Sequence, residues 1–187
     1  MFEAFAVSAG VVALGEIGDK TQLLALLLAA RYRKPWPIIG GIFVATLANH
    51  AAAGALGAWV SHLLSPTVLR WALGLSFLAV AVWMLIPDEA DEVQGAEHSR
   101  WGVFGITTLA FFLAEMGDKT QIATVMLAAR FDSLIAVTAG TTAGMMLTNV
   151  PAVLLGEKAV TFVPIEWVHR FSAAIFALMG LLILWQG

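Results

Sequence analysis

The chain has 187 residues, 60% of them hydrophobic and only 12% charged, with a net charge of −3. A soluble domain is roughly 25% charged, so this composition excludes an ordinary soluble protein, and the lack of a basic surplus argues against a nucleic-acid partner. With no cysteine, disulfides, iron–sulfur clusters and cysteine zinc sites are excluded as well.

A bilayer span takes about 20 mostly apolar residues, and a mean hydropathy of +0.86 over the whole chain is that of an integral membrane protein. We read six spans in order, at about 4–30, 38–63, 67–86, 101–129, 134–156 and 166–186. Met1-Phe2-Glu3-Ala4 lacks the positive start of a secretory signal, so the first span is expected to remain in the mature protein. Arg31-Tyr32-Arg33-Lys34-Pro35-Trp36-Pro37 ends it with charge and two prolines, and Ser65-Pro66 makes the next turn. The stretch from Pro87 to Arg100 is polar and acidic, with Asp88, Glu89, Asp91, Glu92 and Glu97, and reads as a solvated loop. Phe131-Asp132-Ser133 and the segment from Glu157-Lys158 to Ile165-Glu166 supply the last two breaks. The seven tryptophans (36, 59, 71, 83, 101, 167 and 185) fall near span ends, where amphipathic rings settle at the headgroup level.

Inside the first and fourth spans, Glu16-Ile17-Gly18-Asp19-Lys20-Thr21-Gln22 returns 99 residues later as Glu115-Met116-Gly117-Asp118-Lys119-Thr120-Gln121. Charged groups in hydrocarbon cost about 2.5–3.5 kcal/mol each on insertion scales, and such residues mark functional sites. Ala29-Ala30-Arg31 recurs at the same offset as Ala128-Ala129-Arg130, and Leu47-Ala48-Asn49 aligns with Leu147-Thr148-Asn149 after one inserted residue. The chain therefore divides into a first repeat (1–87), an acidic linker (88–100) and a second repeat (101–187). Three spans per repeat set the halves in opposite directions. The expected fold is all-α, six transmembrane helices arranged as two inverted three-helix repeats, with a site at the midplane between them.

Counting Lys and Arg by loop gives six (Arg31, Arg33, Lys34, Arg100, Lys158, Arg170) on one side against two (Arg70, Arg130) on the other. The positive-inside rule then places both termini outside and the acidic linker in the cytoplasm.

On a continuous helix Glu16 and Asp19 share a face one turn apart, with Lys20 on the same arc, and Glu115, Asp118 and Lys119 repeat the pattern. Four carboxylates converging at mid-membrane suit a hard divalent cation such as Mn²⁺ or Ca²⁺. Lys20 and Lys119 balance charge. With all six groups ionised the site carries −2, which one divalent ion or two protons would neutralise, so metal–proton exchange is expected. Against this stands the reading in which Glu16–Lys20 and Glu115–Lys119 are helix ion pairs and Asp19 and Asp118 packing acceptors. Two copies favour a site.

Gly18 and Gly117 either let the helix unwind, exposing carbonyls to a cation, or are small packing residues. Asn49, Asn149, Thr21, Thr120, Gln22 and Gln121 are further candidate metal ligands, Asn49 and Asn149 being equally readable as interhelical glue. Thr46 and Thr148 are weaker, because threonine bonds its own helix backbone. His50 has no counterpart, since Val150 stands in its place, and is read as a hydrogen-bonded packing residue. Glu3, Glu157 and Glu166 read as solvated span ends.

The twin motifs Glu16-Ile-Gly-Asp-Lys-Thr and Glu115-Met-Gly-Asp-Lys-Thr match the E-x-G-D-[KR]-[ST] signature, and the whole chain resembles the small cation exporters of that signature. These include bacterial manganese exporters and Golgi and chloroplast manganese/calcium transporters. The resemblance implies export of Mn²⁺ and/or Ca²⁺ from the cytosol against protons, with Glu16, Asp19, Glu115 and Asp118 as metal-binding acids. It also implies a multi-pass protein of a bacterial inner membrane, whose partners are the lipid bilayer and divalent ions, with no cofactor. Two other classes compete. A divalent cation channel would lack proton coupling. An intramembrane aspartyl-type enzyme would need one carboxyl held protonated, which the adjacent lysines oppose, so no enzyme is expected.

Overall fold

The computed structural model describes residues 1–86, 102–155 and 165–185. They form eight helices and, among the described residues, no strand: α1 (Phe2–Glu16), α2 (Lys20–Tyr32), α3 (Pro35–Leu63), α4 (Pro66–Trp83), α5 (Gly102–Glu115), α6 (Lys119–Phe131), α7 (Leu134–Leu155) and α8 (Ile165–Trp185). The acidic stretch from Asp88 to Glu97, together with Trp101, Glu157, Lys158 and the Glu166 side chain, lies outside this description.

Four of the six expected spans are single helices with ends within three residues of those read from charge and proline signals. The first and fourth are corrected: each is two helices, interrupted at residues 17–19 and 116–118. The cause is the glycine inside each motif. Gly18 has φ +82° and Gly117 φ +75°, a left-handed geometry that costs other residues roughly 1–2 kcal/mol. Of the two glycine readings, local unwinding is the one the backbone adopts.

The repeat extends to the backbone. Arg33 (φ 51°) caps α2 and Asp132 (φ 46°) caps α6 in the same left-handed conformation, and they are 99 positions apart, as are Gly18 and Gly117.

A broken helix in an apolar core must settle its freed backbone groups. In a continuous helix Gly18 N–H would bond Leu14 C=O. Instead it donates to Gln22 Oε1 at 2.8 Å, and Leu14 C=O accepts from Ser172 Oγ of α8 at 2.8 Å. Gly117 N–H likewise donates to Gln121 Oε1 at 2.7 Å. Met116 N–H turns back to Leu113 C=O, which frees Phe112 C=O to accept from Asn49 Nδ2 of α3 at 3.0 Å.

The halves interlace. The α1 helix packs on α7 and α5 on α3, α3 and α7 meet each other, and α4 pairs with α8. Close approach is made by small residues, as membrane helix interfaces require. A Cβ on Gly41 would strike Thr107 and Phe104 of α5, and one on Gly140 would strike Phe5 and Ser8 of α1. Gly74 and Gly180 bring the α4 and α8 backbones together, beside a tilted Phe77–Phe176 ring pair at 5.9 Å.

The outer surface is apolar and the interior holds polar groups. Phe43, Leu56, Leu109, Leu113, Leu178 and Leu181 are exposed, while Ser8, Thr46, Thr107, Thr141 and all four motif acids are buried. Such a surface suits lipid. Three helical segments, Pro35–Leu63, Pro66–Trp83 and Trp167–Trp185, are long and apolar enough to cross a membrane. At 1.5 Å per residue α1 and α2 are each only about 20 Å long, short of a bilayer core of about 30 Å. Trp36, Trp59, Trp71, Trp167 and Trp185 are at least half exposed near helix ends.

Candidate metal centre

The two breaks meet in the interior. Glu16 closes α1 and Asp19 precedes α2, while Glu115 closes α5 and Asp118 precedes α6. Glu16, Asp19 and Glu115 are 0% exposed and Asp118 is 2% exposed, so all four carboxylates are withdrawn from solvent. Asp19 and Asp118 occupy the N-cap positions of α2 and α6, where the helix dipole favours negative charge.

Breaking the helices changes what the lysines do. Lys20 no longer lies on an arc with Glu16, because the two belong to different helices. Each lysine crosses to the other half: Lys20 Nζ is 3.6 Å from Asp118 Oδ1, and Lys119 Nζ is 3.2 Å from Asp19 Oδ1. The pairs are unequal in exposure, with the Lys20 side chain 22% exposed and that of Lys119 fully buried. Two of the four carboxylates are thus matched by ammonium groups of the opposite half.

Carboxylate oxygens of Glu16, Asp19 and Asp118 lie within 4.8 Å of one another, a spacing that one cation can bridge. Around them, Thr21 Oγ1 donates to Glu16 Oε2 at 2.5 Å, and Thr120 Oγ1 donates to Asp118 Oδ2 at 3.2 Å. Thr21 and Thr120 hold the carboxylates. Gln22 and Gln121 spend their carbonyl oxygens on the glycine N–H groups, and Gln22 Nε2 also donates to Thr148 C=O at 3.2 Å.

Asn49 gives its nitrogen to Phe112 C=O. Asn149 donates to Met145 C=O at 3.1 Å, and its buried Oδ1 takes no hydrogen bond among the described residues. Thr148 bonds Met145 C=O in its own helix, as expected of threonine. Thr46 does not: its buried hydroxyl has no hydrogen-bond partner among the described residues.

The fourth carboxylate is not one of these three. Glu115 Oε2 is 3.7 Å from His50 Nε2, both side chains fully buried. The sequence reading set His50 aside for want of a repeat partner, and the structure places it against a motif acid. Its position beside Asn49 on α3 was the one available signal.

Acids and lysines at the junction of two broken helices, inside a bundle with an apolar exterior, define a membrane transporter for cations. A profile of the family described as "Divalent cation/proton antiporter GDT1" matches residues 4–92 and 103–187, one match in each half. The chain belongs to this family. It is 52% identical over 182 residues to a protein of Vibrio cholerae serotype O1 named "Putative manganese exporter", covering 97% of this chain and 90% of that one. A GDT1-like protein of Synechocystis sp. is 26% identical over 205 residues, covering 99% of this chain and 98% of its own. GDT1-like protein 3 of Arabidopsis thaliana is 29% identical over 203 residues, covering 94% and 68%. No solved structure matches.

Proposed function

We propose that this chain exports Mn²⁺, with Ca²⁺ as a second cargo, from the cytosol in exchange for protons. The observation that carries the reading is the cross-paired acid cluster, in which Glu16, Asp19 and Asp118 offer oxygens within 4.8 Å of one another. With all six groups ionised and both aspartates matched by lysine, the charge left over equals that of one divalent ion, and two protons on the glutamates offset it equally. The kinship with a protein named for manganese export supports Mn²⁺ as the physiological cargo. Glu115 extends the acid set from the other half, and Asn149 Oδ1 is free to complete the shell.

The same reading takes the chain as six spans in two inverted repeats, the first and fourth spans broken. Three contacts support it. Gly41 near the start of α3 meets Phe104 and Thr107 near the start of α5, so those helices run the same way, and Gly140 of α7 meets Phe5 and Ser8 of α1 in the same sense. His62 near the end of α3 stands 3.9 Å from Asp132 at the end of α6, both exposed, which sets those ends on one side. The lysine and arginine count puts that side outside, with both termini, and the acidic linker in the cytoplasm of a bacterial cell bounded by its inner membrane. Alternating access then rocks one repeat against the other about the site.

The test is purified protein in liposomes. An imposed proton gradient is expected to drive Mn²⁺ uphill, and reversing the gradient reverses the movement. Downhill Mn²⁺ flux that ignores the proton gradient would establish the channel in its place.

A further inference from the structure

We propose that His50 is a direct ligand of the transported ion, binding it through Nε2 together with Glu115, and that this nitrogen separates Mn²⁺ from Ca²⁺. The inference rests on the transport reading above and deepens it by assigning the selectivity of its site.

His50 is 0% exposed, and neither ring nitrogen takes a hydrogen bond among the described residues. Buried polar groups are almost always partnered, and one that is not asks for a role. Glu115 is in the same condition, since neither of its buried carboxylate oxygens is hydrogen-bonded among the described residues. The two orphaned groups face each other at 3.7 Å. Metal–donor bonds of about 2.1 Å place neighbouring donors about 3–4 Å apart, so both atoms can hold one ion with little movement. At a surface the contact would read as a weak ion pair, but inside the bundle it is a pair of ligating atoms.

An imidazole among oxygen donors changes what the site prefers. Ca²⁺ and Mg²⁺ are hard ions that take oxygen ligands, whereas first-row transition ions accept imidazole nitrogen readily. Among the described residues, the motif glutamate of one repeat alone has an imidazole beside it. The repeat partner of Asn49-His50 is Asn149-Val150, so Glu16 meets no imidazole from α7 and is held by the Thr21 hydroxyl. One half supplies oxygens alone, and the other adds a single nitrogen.

Pulsed electron paramagnetic resonance of Mn²⁺ bound to the full chain in detergent tests this directly. Wild-type protein is expected to show nitrogen hyperfine coupling to Mn²⁺ that changes when histidine is ¹⁵N-labelled and disappears in His50→Gln. In liposomes, Ca²⁺ should compete against Mn²⁺ transport about tenfold better or more in His50→Gln, since losing even an outer-shell partner of a metal ligand costs that much. Wild-type protein that binds and moves Mn²⁺ without nitrogen coupling, or a His50→Gln variant with unchanged competition, overturns the assignment and leaves the transport reading standing. Wild-type protein that neither binds nor moves Mn²⁺ refutes both. If the variant fails to fold, the labelled wild-type spectrum decides alone.

Discussion

Lys119 Nζ sits 3.2 Å from Asp19 Oδ1, and both side chains are fully buried although they come from opposite halves of the chain. The mirror pair, Lys20 with Asp118, is longer at 3.6 Å and partly exposed. Each motif therefore neutralises the aspartate of the other rather than its own acids. The glutamates are left with a hydroxyl in one case and an imidazole in the other.

Removing one member of the buried pair leaves the other charge without its counter-ion, a loss of about 3–5 kcal/mol. Lys119→Met should lower the denaturation midpoint in detergent strongly, and Lys20→Met less, because Lys20 reaches solvent. The double variant Asp19→Asn with Lys119→Met should recover much of the stability and none of the transport. Equal effects of the two lysine variants would refute the assignment of the tighter pair.

Glu16→Gln keeps an acceptor for Thr21 and removes one carboxylate from the three-carboxylate cluster. Transport should fall to background while the protein elutes as wild type by size exclusion, and Asp118→Asn should behave alike. Saturating Mn²⁺ should stabilise wild-type protein by about 2.7 kcal/mol at a hundredfold excess over the dissociation constant, and should leave Glu16→Gln unmoved. A thermal shift in the variant matching wild type would remove Glu16 from the site.

Nothing lies within 4 Å of where a Cβ on Gly117 would stand, so the cost of Gly117→Ala is backbone strain alone. About 1–2 kcal/mol is expected for a left-handed alanine, with Gly117→Asn milder because asparagine tolerates that region. Calorimetry of the two variants checks the order. Transport by Gly117→Ala should slow, as the break shifts toward a continuous helix.

Gln22 closes two bonds where Gln121 closes one across its break. Substitution by leucine strands the part-buried Gly18 N–H at about 1–3 kcal/mol, and the exposed Gly117 N–H at less. Gln22→Leu should be the more destabilising in chemical denaturation, since it also abandons Thr148 C=O. The reverse order would show that the second bond contributes nothing.

Most helix ends were legible because prolines and charges punctuate apolar runs, and the acids that the fold brings together were legible because a charged heptapeptide recurs within apolar stretches. The lysine exchange was not. Helical periodicity places Lys20 beside Glu16 only while the helix continues, and Gly18 left two geometries open that spacing cannot separate. Gln22 and Gln121 were candidate ligands by residue type, whereas their work on the backbone follows from the break. His50 was read as a packing residue because the repeat was the detector, and the residue stands where the halves differ.

The interlacing of α1 with α7 and of α3 with α5 carries a consequence for biogenesis. When the ribosome has delivered only the first half, Glu16, Asp19 and Lys20 are already in the membrane, and the groups that offset them are still unmade. The helices of that half pack almost entirely against helices of the second half, a topology that folds late and leaves intermediates exposed. The nascent first half is thus the chain's most vulnerable species. A membrane protease or chaperone would meet it with its charges still unmatched, whereas completion of α6 and α7 removes that mark in one step.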